Sequence, residues 1–319
     1  MRIAVTGSTG FVGAKLVSAL VLNKVQGSLF LRAKGNVIKG FNTFITPTIN
    51  GSTQFMEGLH RIDCVIHCAA RVHVMNDSSN DALEEFREVN TYGTINLAQQ
   101  AADAGVKRFI FISSVKVNGE STELGAPFSP DDTYVPTDHY GLSKYEAEVG
   151  LRKIANETGM EVVIIRPPLV YGPGVKANFA TMMKWVNRGL PLPLGGIQDN
   201  KRSLVAVDNL VDLIICCIDQ PNAANQTFLV SDGDDISTTG LLQHMAMALN
   251  VSSRLLPIPV YWFTLAVKLM GKPAISQRLC GSLQVDISKT KTLLNWQPPY
   301  SSDECMRKTA EAFLVNINI

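Results

Sequence analysis

The opening stretch MRIAVTGSTGFVGAKL limits the fold of this chain more than any other. The apolar run at 2–6 reads as a strand, and the amphipathic run from Phe11 reads as a helix. Gly7, Gly10 and Gly13 lie between and at the junction of the two. Glycine tolerates the left-handed backbone of a tight turn and lets backbone N–H groups approach an anion at a helix N-terminus. With a strand before and a helix after, such a triplet is the context for binding a dinucleotide pyrophosphate. The same glycines would also serve a merely tight strand–helix turn. On both readings the chain begins as a β–α unit.

Further strand candidates follow at 28–31, 64–67, 108–113 and 161–166, with helical patterns at 11–22, 90–104 and 140–158. Strands alternating with helices make parallel units, and strands apolar on both faces fit a sheet covered on both sides. The expected class is α/β: a Rossmann-type doubly wound parallel sheet with a smaller C-terminal α/β substrate domain. After RPPLVYGPG (166–174) the chain turns to loops and short helices rich in Pro and Gly. Two later pieces, 203–218 and 227–233, read as returns to the sheet. The expected division is 1–173 plus 203–233 for the dinucleotide-binding domain and 174–202 plus 234–319 for the smaller one.

The charge balance, 29 basic against 28 acidic residues, gives no reason to expect nucleic acid or an anionic membrane as main partner. A strand from Arg2 leaves no room for a signal peptide, so a cytoplasmic location is expected. The greasiest stretch, PIPVYWFTLAVKLMG (257–271), is too short to span a bilayer and reads as a buried or groove-lining helix. The six cysteines form no paired metal-ligand pattern and read as reduced, buried thiols; no metal is expected. His67, inside an apolar strand, reads as a satisfied core histidine, and Asp208 as the N-cap of the next helix.

Two features carry chemistry. The acid expected about 20 residues beyond the glycine triplet, on an adenine ribose, is absent; the second strand ends in Leu31-Arg32-Ala33-Lys34. Basic residues there favour NADP(H) over NAD(H), although solvated side chains at a strand end would look the same. Further on, TDHYGLSKYEAE (137–148) puts Tyr140 and Lys144 four apart on one helical face. An ammonium beside a phenol favours the phenolate. Alone, the pair is equally an ordinary couple on a helix.

Together, Gly7–Gly13, Tyr140 and Lys144 resemble the extended short-chain dehydrogenases/reductases, in particular the nucleotide-sugar epimerases and reductases. DCVIHCAA (63–70), VNTYGTINL (89–97), FISSVKVNG (111–119) and RPPLVYGPG (166–174) extend the resemblance along nearly the whole chain. The resemblance implies a catalytic Ser114, a Tyr140 that exchanges a proton with a sugar C4 oxygen, and a Lys144 that lowers the tyrosine pKa and holds the nicotinamide ribose. It implies that Gly7, Gly10, Phe11, Val12, Gly13, Arg32, Ala69, Ala70, Asn90, Lys144 and Pro167 face the cofactor. There are departures. Asn118 stands where the family often has tyrosine. Val115 and Lys116 stand where the 4,6-dehydratases have an Asp-Glu pair, which argues against a dehydratase.

For the substrate, the resemblance implies a UDP-sugar held by Asn178, by Leu192 in the loop LPLPLGG, and by Arg202, with Arg278 as a second arginine. The subgroup most resembled forms UDP-N-acetylquinovosamine. The expected reaction is therefore an NADP(H)-dependent reduction at C4 of a UDP-4-keto-6-deoxy-N-acetylhexosamine for surface polysaccharide. The alternatives are a UDP-glucose or UDP-N-acetylglucosamine 4-epimerase with tightly held NAD, and, more remotely, a non-catalytic dinucleotide-binding protein. A homodimer pairing the helices near 90–104 and 140–158 is expected by the same resemblance.

Overall fold

Alternate residues of each central strand face opposite layers, and this pleat organises the molecule. The computed structural model describes residues 1–72, 81–271 and 273–317. In chain order the elements are β1 Arg2–Thr6, α1 Phe11–Leu22, β2 Gln26–Leu31, β3 Phe41–Ile45, α2 Met56–Leu59, β4 Cys64–His67 and α3 Ala82–Arg87. A π turn over Glu88–Tyr92 leads into α4 Gly93–Asp103, then β5 Arg108–Ile112, α5 His139–Thr158, β6 Glu161–Arg166, β7 Leu169–Tyr171 and α6 Ala177–Asn187. The chain ends with β8 Leu204–Ala206, α7 Val207–Asp219, β9 Thr227–Leu229, α8 Thr238–Ala248, α9 Val260–Leu269, α10 Pro273–Cys280, α11 Ser288–Leu294 and α12 Ser302–Ile317.

Seven strands form one parallel sheet in the order β3-β2-β1-β4-β5-β6-β9. Ile3, Val5, Ile66, Ile110 and Val163 face one core with α1 and α7. Ala4, Val65, Phe109, Phe111 and Ile164 face the other with α4 and α5. This is the expected doubly wound α/β sheet. Strand order reverses between β1 and β4, which opens a crevice at their carboxyl ends.

A third core joins Tyr171, Phe179, Met183, Leu192, Leu242, Met245 and Cys305, built from α6, α8 and α12. Among the described residues no helix is long and apolar enough to cross a membrane.

The structure corrects several sequence expectations. The stretch from 203 does not rejoin the large sheet: Leu204–Ala206 pairs with Leu169–Tyr171 in a separate two-stranded sheet. Strand β3 was not expected, because as an edge strand it is largely exposed and lacks an apolar run. Asp208 does not cap α7; Ala206 holds that place, and Asp208 in the first turn pairs with Lys15 at 2.6 Å. Helix α9 is largely exposed rather than buried, with Val267 as its buried residue. Cys64, Cys217 and Cys305 are buried, whereas Cys68, Cys216 and Cys280 are half-buried; all six are free.

Candidate active site

The glycine loop closes the carboxyl end of β1. Gly7 has φ +69°, and a Cβ there would lie 2.6 Å from the Ala69 nitrogen. A Cβ on Gly13 would lie 2.1 Å from the Gly7 carbonyl oxygen. Strand, turn and helix thus approach at distances that exclude a side chain. Gly10 starts α1 with no side-chain cap, leaving the first N–H groups of the helix open to a ligand. Beside it Ser8 is buried and its hydroxyl has no partner, which is costly unless a ligand supplies one. The loop fits a dinucleotide. Phe11 and Val12 pack half-buried on the core below, and Ala69 and Ala70 are half-buried after β4.

Ser114, Tyr140 and Lys144 come together at the ends of β5 and α5. Asp138 caps α5, accepting from the Gly141 N–H at 3.0 Å, and this fixes the first turn that carries Tyr140. Burial pushes the Tyr140 phenol up to about 12, while a hydrogen bond with Ser114 pulls it back. The Ser114 hydroxyl also accepts from the Lys116 N–H at 3.2 Å, which orients it. Lys144 is almost fully buried; burial lowers it to about 8, against the raising effects of Cys68 and Glu148.

The Lys144 ammonium donates to the Ile112 carbonyl at 3.0 Å and lies 4.4 Å from the centre of the Phe111 ring. Its remaining N–H donors stay available for a ligand's hydroxyls. The phenol therefore has Ser114 as its hydrogen-bond partner, and the ammonium sits one turn further into the protein.

Beneath the triad lies a set of residues that sequence reasoning missed. Glu148, one turn after Lys144, accepts from Ser113 at 2.6 Å and from Arg166 at 2.9 and 2.6 Å. Its spacing from Lys144 was the available signal. Arg166 Nη1 donates to Asn118 at 3.0 Å, so the asparagine in the tyrosine position ties the loop to the sheet. Asn90, expected against the cofactor, spends its amide on the protein: it accepts from Arg71 N–H at 2.8 Å and donates to the Arg71 carbonyl and to Ser143, both at 3.0 Å. Ser143 in turn donates to the Tyr140 carbonyl at 2.8 Å, so Asn90 braces the first turn of α5.

His67 is satisfied on both sides. Thr94 donates to the Asn90 carbonyl at 2.7 Å and so accepts from Nε2 at 2.9 Å. Nδ1 then accepts from Thr6 at 2.6 Å. Burial foremost, with the charge of Lys144, pushes His67 down to about 3, so it stays neutral.

The other expected site residues are scattered. The Pro167 carbonyl accepts from the Val115 N–H at 3.0 Å, extending the β5–β6 pairing. Arg32 and Lys34 are exposed beyond β2. Asn178 is exposed in the first turn of α6, and Leu192 is buried in the third core with its N–H on the Arg254 carbonyl at 2.9 Å. The Arg202 guanidinium donates to the Arg278 and Gly281 carbonyls at 2.9 and 3.0 Å, so both arginines lie together, with the Arg278 side chain exposed.

The sequence signature of the NAD dependent epimerase/dehydratase family matches residues 3–231. The chain belongs to that epimerase/dehydratase family. A UDP-glucose 4-epimerase of Vibrio cholerae is 54% identical over 315 residues, covering 98% of this chain and 95% of the relative. The fold is similar to that of a Thermotoga maritima UDP-glucose 4-epimerase solved with UDP-glucose, with TM-score 0.79, 23% identity and coverage of 99% and 100%. It is also similar to a Bacillus cereus UDP-glucuronic acid 4-epimerase in complex with NAD, with TM-score 0.79, 20% identity and 99% coverage of each chain.

The Vibrio relative overturns the expected UDP-4-keto-6-deoxy-sugar reductase. That expectation rested on the resemblance, with Arg32 in agreement; Arg32 is exposed just beyond β2. In this epimerase/dehydratase family member, the basic strand end is no evidence of a net reductase.

Proposed function

We propose that the protein is a UDP-sugar 4-epimerase that inverts C4 of a UDP-hexose, with UDP-glucose and UDP-galactose as the first pair to test. The observation that carries this reading is the 54% identity to a UDP-glucose 4-epimerase along nearly the full length of both chains. Tyr140, Lys144 and Ser114 support it by their place at one end of the crevice. A bound nicotinamide would supply the hydride acceptor and donor that inversion at C4 of the sugar needs. Tyr140 accepts the C4 hydroxyl proton and gives it back. Ser114 holds the same oxygen through its hydroxyl. Lys144, buried and cationic, stabilises the phenolate and offers its free N–H groups to the ribose.

NAD is proposed as the resident dinucleotide, because an epimerase needs no net reductant and solved relatives hold NAD. Gly7, Gly10 and Gly13 would lie against its pyrophosphate and Ser8 would find its missing partner there. Arg202 and Arg278 are proposed for the diphosphate of the sugar nucleotide, where a guanidinium fork suits two phosphate oxygens. Asn178 and the main chain about Leu192 are proposed for the rest of the nucleotide. The proposed cofactor unit is 1–173 plus 203–233 and the proposed sugar-nucleotide unit 174–202 plus 234–319, with α11 lying against the former through β9. A homodimer through α4 and α5 is supported by the exposed Val149.

The test is direct. Purified protein is denatured and the released nucleotide identified, and intact protein is incubated with UDP-glucose without added reductant. Stoichiometric NAD+ and an equilibrium mixture containing UDP-galactose are expected. Failure to invert C4 of UDP-glucose, UDP-N-acetylglucosamine and UDP-glucuronic acid, with NAD+ supplied, would overturn the proposal.

A further inference from the structure

Helix α9 turns its apolar side outward. Tyr261 and Trp262 are 70% and 60% exposed, and Leu269 and Met270 are 80% and 70% exposed. Trp262, Ala266 and Leu269 fall at i, i+4 and i+7, so they form one stripe, and all three are exposed. Water thus meets the face that a surface helix normally buries. The two aromatic rings pack edge to face at 5.5 Å, touching each other while both remain open to solvent.

The chain segments that build this face carry no acidic residue of their own; Glu120, from another segment, lies near Arg278. Residues 162–198 and 236–285 contain no Asp or Glu. Within them Lys176, Lys184, Arg188, Arg254 and Lys268 are all exposed. The even balance of the whole chain hides this local excess. Main-chain pairing makes the surface continuous: the Leu192 N–H donates to the Arg254 carbonyl at 2.9 Å, and Gly189 packs against the Arg254 side chain. The end of α6, with exposed Trp185, and the turn after it, with exposed Leu190, therefore lie beside the segment that leads into α9. The acids Asp303 and Glu304 ride on α12, which packs on α8, whereas α9 packs on α10.

We propose that this face docks the protein on an anionic lipid surface. Tyr and Trp settle at the headgroup level of a bilayer, aliphatic side chains enter the acyl boundary, and Lys and Arg pair with lipid phosphates. Each cation near an anionic leaflet contributes about fivefold to partitioning, so several exposed cations and a short apolar stripe hold a protein reversibly. A second copy of the chain is a poorer occupant, since two-fold pairing would set these cations against themselves. A sugar nucleotide is too polar to cover Leu269 and Met270. Docking of this kind needs no spanning helix.

The test uses the protein as purified, with vesicles of equimolar phosphatidylglycerol and phosphatidylcholine against vesicles of phosphatidylcholine alone. Co-sedimentation with the anionic vesicles is expected, weakening as salt rises. The double variant Trp262→Ser, Leu269→Ser should partition at least about tenfold less. Its melting temperature and bound nucleotide should be unchanged, because both side chains are exposed. Equal partitioning of variant and parent, or no binding to either vesicle, overturns the proposal. Self-association that the double variant abolishes, without vesicle binding, also overturns it and assigns the face to a contact between copies.

Discussion

Glu148 and Arg166 meet bidentately between α5 and β6, with side chains 2% and 5% exposed. Ser113 donates to the same carboxylate, so the pair fixes the residue beside Ser114. Removing one partner of such a pair strands a buried charge. Glu148→Gln should lower stability by about 3–5 kcal/mol in chemical denaturation. Adding Arg166→Met to it should restore much of the loss, because neither charge then remains. A loss in the single variant within the range of ordinary surface substitutions, about 0.5 kcal/mol, would refute this account.

Comparison with a Lys144 variant separates this residue's part of the pH dependence of stability from that of the cysteines, which burial raises above 9.0. The folded value of Lys144, about 8, lies below the ordinary 10.5, so between these values the unfolded chain binds more protons than the folded one. The burial penalty is full below about 8 and is relieved as pH rises through that window. Tyr140 acts in the opposite sense, since a phenol raised from 10.0 to about 12 loses its contribution only above pH 10. Nucleotide-stripped protein should therefore gain stability from Lys144 between pH 8 and 10. Lys144→Met should lose that gain. Identical slopes for both proteins in denaturation across this range would rule the linkage out.

Ser114 and Tyr140 should separate kinetically. Tyr140→Phe removes the group proposed to move the proton and should lower kcat by about 10²–10⁴-fold with nucleotide content intact. Ser114→Ala removes the hydrogen bond that holds the phenol down, so the rising limb of activity should move to higher pH. The pH profile of kcat/KM distinguishes this from general damage, which would lower the rate without moving the limb.

Much of this architecture is written in local patterns, and the rest depends on pairings those patterns do not encode. Strands buried on both faces, such as Cys64–His67 and Glu161–Arg166, show as unbroken apolar runs. Edge strand Phe41–Ile45 does not, and the partner of Leu204–Ala206 is set by how distant loops pack. Ser114, Tyr140 and Lys144 could be proposed from sequence because the proposed chemistry needs particular residue types at fixed spacing. The bracing by Asn90, Ser143, Glu148 and Arg166 could not, since each contact depends on where separate elements lie. In α9 the apolar content was plain, but content alone does not say which way a face turns.

The glycine loop allows a graded test. A Cβ on Gly13 would meet the Gly7 carbonyl oxygen at 2.1 Å, so Gly13→Ala must displace the turn or the start of α1. A Cβ on Gly10 would meet the same oxygen at 3.2 Å, a gap that a shift of a few tenths of an ångström relieves. Both substitutions spare the triad and the buried Glu148–Arg166 pair. Gly13→Ala should therefore leave the purified protein nearly free of nucleotide, whereas Gly10→Ala should retain a substantial share. The check is the absorbance of nucleotide released on denaturation, normalised to protein. If both variants carry as much as the parent, the close approach at this turn does not shape the cofactor site. If both are equally empty, the loop responds to any added atom rather than to the distance between Gly13 and the Gly7 carbonyl.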